Sequence, residues 1–378
     1  MRVEQFAMER MQSTWENLVE FNLSESGVHP LTPRELLQDA PFELLLDQPL
    51  VYTQSNGTRE LRAAIAGLYQ GSSIDHVQVT NGGSEANYIS IWKLVEPGDE
   101  VVMLVPNYMQ TWGLVRAFGG TVREWRLVED RAAGRWRPDL DELATLVNDR
   151  TRAIVICTPN NPTGATLTAE ELDAIAQIAV RRGTWVLSDE VYRGAELGDH
   201  EAASMWGRYE RVIVTSGLSK AYGLPGLRIG WIAAPPEFVA ATWSYHDYTT
   251  IAPGALSDRL ARVALDPSRR GAILARTRRI VRENLPLIEG WLRAHDPMFS
   301  WLAPQAGAIV YVRYNYAINS TELATRLREE KSVLIVPGDH FGMDGYLRLG
   351  FGERPDYLLQ GLDRLHSLLS SFPAHAGA

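Results

Sequence analysis

The chain has 378 residues, 45% hydrophobic and 22% charged, the balance of a water-soluble globular protein long enough for two domains. Its 37 basic residues stand against 46 acidic ones, a net charge of −9, which argues against a nucleic-acid binder, whose affinity would rest on a basic face. One cysteine, Cys157, excludes an internal disulfide framework and a cysteine-based zinc site, and fits a reducing, cytoplasmic compartment.

In chain order, Val3 to Asn17 has the apolar spacing of a helix, and the charges spread from Arg2 to Glu25 leave no apolar core for an export signal. No later stretch approaches the ~18 apolar residues of a membrane span, so no membrane partner is expected. Thr32-Pro33-Arg34-Glu35 is a capping box with proline at the first helical position and opens a helix; another is predicted over Thr58 to Tyr69. From about residue 76, apolar β-branched runs alternate with helical patterns. HVQVT precedes a helix from Ser84 to Val95, EVVMLVP one from Thr111 to Phe118, and TVREWRLV the segment DLDELATLV. RAIVICTP precedes a second capping box, Thr168 to Glu171, and TWVLSDE, RVIVTSG and RIGWIAA complete the series. These runs predict an α/β fold whose mostly parallel, seven-stranded sheet is covered on both faces. Beyond Pro267 the pattern changes to a long Arg-rich helix (Ser268 to His295), a strand (Ile309 to Arg313), a helix (Thr321 to Glu330), VLIVPG, YLRLGF and a last helix (Pro355 to Leu369). The expected division is residues 1–50 as an N-terminal arm and part of a small domain, 51–270 as a large domain, and 271–378 as a smaller α+β domain.

Ligands of open α/β sheets bind in the loops after the strands, so those loops hold the candidate residues. After VQVT, Asn81-Gly82-Gly83-Ser84 opens a helix whose free N–H groups and dipole favour an anion, although a plain tight turn has the same composition. It is neither a dinucleotide fingerprint nor a P-loop. Tyr108, after EVVMLVP, has the place of a ring-stacking aromatic; Asn160-Asn161-Pro162-Thr163-Gly164 is a turn whose Asn161 can hydrogen-bond into a cleft. Asp189 and Tyr192 end an apolar strand, where a carboxylate needs a partner such as a cationic ligand nitrogen. The chain has only three lysines, and Lys93 and Lys331 lie in charged, helical surroundings. Lys220 lies in the Gly- and Ser-rich run SGLSKAYGLPGLRIG with Arg228, and an apolar cleft with nearby arginines is expected to lower its pKa from about 10.4. In YLRLGF, alternation puts Tyr346, Arg348 and Gly350 on one face and Leu347, Leu349 and Phe351 on the other. An amine, an anion site, a stacking ring, an acid and hydrogen-bonding groups together are what pyridoxal 5′-phosphate requires: the lysine forms the Schiff base and the acid keeps the pyridine nitrogen protonated.

At this point the chain resembles the class I/II aminotransferases of the aspartate aminotransferase superfamily, the fold type I pyridoxal-phosphate enzymes. YTQSNGTRELRAAIA, TNGGSEAN, PNNPTG, SDEVY, SGLSKAYGLPGLRIGW, VLIVPGDHFG and LRLGF occur in that family's order over nearly the whole chain. The resemblance implies transfer of an amino group from an α-amino acid to a 2-oxo acid. It implies that Lys220 bears the cofactor and moves the proton, and that Asp189 pairs with the pyridine nitrogen. Asn161 and Tyr192 would bind the phenolic oxygen, Tyr108 would stack, and Gly83, Ser84, Ser219 and Arg228 would hold the phosphate. Arg348 would bind the substrate carboxylate, with Asn161 beside it and Gly27 on the segment that closes over the substrate. Tyr52 would reach the phosphate of a neighbouring subunit, which implies a homodimer. Gly217 departs from the Ser or Thr common three residues before the lysine, and no second arginine for dicarboxylates can be placed. NLSESGVH, SKAYGLPGLRIGW and DYTTIAPGALSDRLA are also similar to capreomycidine-synthase-like enzymes, which eliminate and cyclise a hydroxylated arginine. Those enzymes tend to lack a tyrosine at the place of Tyr192, so transamination stands first and lyase or cyclase chemistry second.

Overall fold

The computed structural model describes residues 2–38 and 42–372. An N-terminal arm holds α1 (Ala7–Trp15), β1 (Phe21–Asn22), α2 (Pro33–Leu37) and α3 (Glu43–Leu46). The α1 helix is shorter than the apolar spacing predicts, whereas the Thr32 capping box at α2 is formed in both directions. After α4 (Arg59–Ala66) come β2 (Val77–Thr80), α5 (Gly83–Leu94), β3 (Glu100–Val105), α6 (Gln110–Ala117), β4 (Thr121–Asp130), β5 (Arg135–Pro138), α7 (Leu140–Leu146) and β6 (Thr151–Cys157). Then follow α8 (Ala169–Arg182), β7 (Trp185–Asp189), β8 (Val212–Gly217) and β9 (Gly230–Ala233).

Among the described residues, these strands form an eight-stranded sheet in the order β2-β9-β8-β7-β6-β3-β4-β5. The seven expected strands are present. The eighth, β5, was not expected: its four residues, RWRP, are too short and too polar for an apolar run and pair antiparallel to β4 at the edge. The central pairs β4·β3, β3·β6, β6·β7 and β7·β8 are parallel, while β9 runs antiparallel to both β8 and β2. Both faces are covered, which explains the unbroken burial of β2, β8 and β9.

Two further helices, α9 (Pro236–His246) and α10 (Ala255–Leu265), lie where no element was predicted, and α11 (Pro267–Ala294) follows them. The remaining elements are β10 (Phe299–Trp301), β11 (Ile309–Tyr314), α12 (Ser320–Lys331), β12 (Val333–Leu334), β13 (Val336–Pro337), β14 (Tyr346–Gly350) and α13 (Pro355–Leu369). A four-stranded sheet has the order β10-β11-β14-β13, and β1 of the arm pairs in parallel with β12. Phe21 and Leu23 of the arm share one apolar cluster with Leu347, Leu349, Phe351 and the inner face of α13. The arm is therefore built into the core of the smaller unit rather than laid over it. No helix among the described residues is long and apolar enough to cross a membrane.

One close approach sets the geometry of the large sheet's ligand-binding end. Gly230 of β9 lies against the backbone of Gly82 and Gly83, so closely that a Cβ at 230 would overlap Gly82 C and Gly83 N. The start of α5 is thereby pinned to the sheet. Gly230→Ala should destabilise the protein by roughly 1–3 kcal/mol or more, the range for overpacking. Gly271→Ala, on an exposed position of α11 with nothing near the added methyl, should instead stabilise by about 0.5–1 kcal/mol. Thermal unfolding of the two variants against the parent measures both.

Candidate active site

The parallel register places Cys157, Asp189 and Thr215 side by side at the C-terminal ends of β6, β7 and β8. Opposite these ends lies a cleft of about 350 Å³, within the range of roughly 300–1,000 Å³ typical of small-molecule sites. Its lining includes Gly83, Ser84, Tyr108, Asn161, Asp189, Tyr192, Ser219, Lys220, Arg228 and Arg348, so residues spread over 266 positions of chain converge on one space.

At the cleft floor, Asp189 Oδ2 accepts a hydrogen bond from Asn87 Nδ2 at 2.8 Å and Oδ1 accepts from the Val191 N–H at 3.1 Å. Burial pushes its carboxyl above the usual value despite these donors, and no cationic side chain pairs with it among the described residues. A ligand nitrogen bearing a proton would supply that missing donor. Asn87, which composition did not single out, also accepts from Thr215 Oγ1 at 2.6 Å and so orients the acid from α5. Its position one turn into a helix that begins at the site was the available signal.

The α5 N-terminus forms one end of the cleft. Gly82, at φ +88°, caps the helix, and the Arg228 guanidinium lies where any side chain at 82 would project. Arg228 itself has φ +51° and donates to the carbonyls of Pro225 at 3.2 Å and Asn81 at 3.4 Å. The first amides of α5 have no intrahelical acceptor, so helix dipole, N–H groups and guanidinium face one anion-sized end. Ser84 Oγ accepts from Gln110 Nε2 at 2.9 Å. The Gly217 departure has a steric cause: a Cβ there would lie 2.9 Å from the Ile229 carbonyl oxygen, because β9 passes too close for a hydroxyl-bearing side chain.

At the opposite end, Arg348 is only 1% exposed, confirming that the β14 alternation turns it away from the leucines. It donates through Nη1 to Asn161 Oδ1 at 2.8 Å and through Nη2 to the Ser24 carbonyl at 2.5 Å, while its Nε has no acceptor. The Tyr192 hydroxyl donates to Ser26 Oγ at 2.8 Å, and burial pushes its pKa up. The Tyr108 hydroxyl donates to Glu9 at 2.9 Å, and its ring meets Phe6 edge-on at 5.0 Å. Gly27 lies beside Lys220: a Cβ at 27 would be in ordinary contact with Lys220 Cδ, at 3.6 Å. Tyr52 does not join the site of its own chain and is 86% exposed.

The environment of Lys220 corrects one expectation. Its Nζ donates to Glu25 Oε1 at 2.6 Å. Burial works to lower the lysine, as expected, but the Glu25 carboxylate outweighs it and the net shift is upward. Sequence reasoning missed Glu25, whose one signal was its place two residues before Gly27.

The Asn87 bridge leads to a stability prediction. Asn87→Ala would remove donors and acceptors from the buried Asp189 and Thr215 side chains, and should cost about 1–3 kcal/mol of stability, measured by denaturant unfolding.

The chain is similar to known proteins over nearly its whole length. The family model for aminotransferase class I and II matches residues 21–365. Capreomycidine synthase of Streptomyces vinaceus is 33% identical over 341 residues, covering 89% of this chain and 86% of that protein. An aspartate aminotransferase of Streptomyces avermitilis is 32% identical over 339 residues, 84% of this chain and 81% of that one. The crystal structure of a PLP-dependent aminotransferase from Streptococcus suis superposes with a TM-score of 0.91 at 32% identity, covering 100% of both chains. With a cleft fitted to pyridoxal phosphate and a family match over nearly its whole length, the chain belongs to the class I and II aminotransferases, pyridoxal-phosphate-dependent enzymes of fold type I.

Proposed function

We propose that this aminotransferase carries its cofactor on Lys220 and moves an amino group from an α-amino acid to a 2-oxo acid between the α5 end of the cleft and Arg348. The convergence of Lys220, the unpaired buried Asp189 and the buried Arg348 on one cleft is the observation that carries this assignment. Pyridoxal phosphate, when bound, supplies an electron sink for the pair left by a broken bond at the substrate α-carbon. The protein does the rest. Gly83, Ser84, Ser219 and Arg228 would hold the phosphate, Asp189 would accept the ring N–H, and Tyr108 would cover a ring face. Asn161 and Tyr192 direct hydrogen bonds toward the phenolic oxygen. Arg348 holds the α-carboxylate by two parallel donors, using the free Nε and exchanging one present acceptor. Lys220 Nζ would be the group that holds and moves the α-proton. Gly27 and α1 close the substrate side, where Met8 lines the cleft and excludes water.

The division into residues 1–50, 51–270 and 271–378 belongs to the same proposal, as does a homodimer in the cytoplasm in which Tyr52 reaches the neighbouring cleft. Leu50, Tyr52 and Tyr248 support the dimer: they are 80%, 86% and 82% exposed, unusual for large apolar side chains on a surface without a partner. A lyase or cyclase reaction on the same cofactor is the second reading, favoured by the likeness to capreomycidine synthase.

Borohydride reduction of the yellow holoenzyme, followed by peptide mapping, should place the cofactor on Lys220; a label on Lys93 or Lys331 would overturn the assignment. Amino-acid substrates should yield 2-oxo acids with amino transfer, and an eliminated or cyclised product without transfer would install the second reading instead. Arg348→Lys, which replaces a planar fork by a point charge, should cut kcat/KM for amino acids by at least about tenfold, the loss of one charge-assisted bond. The same variant should leave the corresponding amines, which lack the carboxylate, unaffected; equal impairment of both would remove Arg348 from the role.

A further inference from the structure

Glu25 has no place in the machinery described above, yet it touches the reacting nitrogen. Its Oε1 accepts from Lys220 Nζ at 2.6 Å, and the same oxygen accepts from the Ser26 N–H at 2.7 Å and the Gly27 N–H at 3.0 Å. Backbone amides hold this oxygen in position, so the contact does not depend on a freely swinging side chain. Among the described residues, the titratable groups that act on Lys220 are Glu25 and Glu16 on the arm, the Tyr192 phenol after β7 and Arg348 on β14. Of these only Glu25 is an anion in hydrogen-bond contact. Burial works to raise the Glu25 carboxyl, but Lys220, Gly27 and Ser26 bring it down to about 2, so it stays ionised throughout the working range.

We propose that Glu25 is a proton-holding partner of Lys220: it keeps the free lysine as an ammonium and thereby controls when its nitrogen can react. This rests on the assignment of Lys220 as the cofactor lysine. The ammonium has no lone pair. To join the cofactor aldehyde, Nζ must first lose a proton to solvent, then form the carbon–nitrogen double bond as water leaves. In the reaction, the same carboxylate favours uptake of the α-proton by Lys220 and holds back its return.

The scarcity of lysine makes this directly measurable. In apoenzyme labelled with carbon-13 lysine, three side-chain signals are expected, from Lys93, Lys220 and Lys331, and Lys220→Arg identifies the one that matters. In the parent protein that signal should titrate above the ordinary lysine value. In Glu25→Gln, the carboxylate in contact with Nζ is gone while burial and Arg348 still lower it, and it should titrate at least one unit lower, about a tenfold larger fraction of neutral amine at a given pH. Glu25→Asp should recover part of the shift. The rate of pyridoxal-phosphate uptake by the Gln variant at neutral pH should rise about tenfold for the same reason. A parent Lys220 that titrates at or below the ordinary value, or a Gln variant with unchanged titration and uptake, overturns the proposal; the first result needs no variant to fold. Borohydride labelling of another lysine would overturn the cofactor assignment alone, because the titration reads the ion pair in the apoenzyme.

Discussion

Arg348 joins three parts of the chain through one guanidinium. It stands on β14 of the smaller sheet, donates to Asn161 in the loop after β6 of the large sheet, and donates to the Ser24 carbonyl of the N-terminal arm. A guanidinium withdrawn from water to 1% exposure must have such acceptors, and these are supplied by both neighbours at once. Three parts of the chain thus meet around one buried charge at the wall of the cleft.

The same constraint, that a charge removed from water needs a partner, arranges the rest of the site. Asp189 is met by Asn87 and a backbone amide and, among the described residues, by no cation. Lys220 is met by Glu25, and Glu25 in turn by two amides of its own loop. At the α5 end, Arg228 and the first helical amides are donors brought close together. The cleft thus has a guanidinium at either end, Arg228 and Arg348, a buried carboxyl on its floor and the lysine among them.

Rigidity comes from close backbone contacts that permit only glycine. Gly230 against Gly82 and Gly83 fixes the start of α5, and Gly350 and Gly352 let β14 and its extension lie on the backbone of Glu25 and Gly27. The arm that carries Glu25 is therefore anchored by strand pairing of β1 with β12 and by these contacts, so the loop facing Lys220 is a structural element of the smaller unit.

The sequence alone determined the α/β architecture, because buried parallel strands leave apolar β-branched runs that stand out between helices, and it marked candidate residues at their ends: Asp189 closes β7, Lys220 follows β8 by three residues and Arg228 stands two residues before β9. It missed β5, whose four residues carry no apolar pattern, and α9 and α10, whose sequences lack capping boxes. The rotation of Arg348 into the cleft was legible from two-residue alternation. The partners of these groups were not: Asn87, Ser24, Ser26 and Glu25 lie 102, 324, 166 and 195 positions from the residues they bond. The direction of the Lys220 shift followed from that. Composition near Lys220 offers only burial and arginine, both of which lower its pKa, whereas the carboxylate that reverses the sign arrives from the far end of the chain, and only the folded contact decides which effect wins.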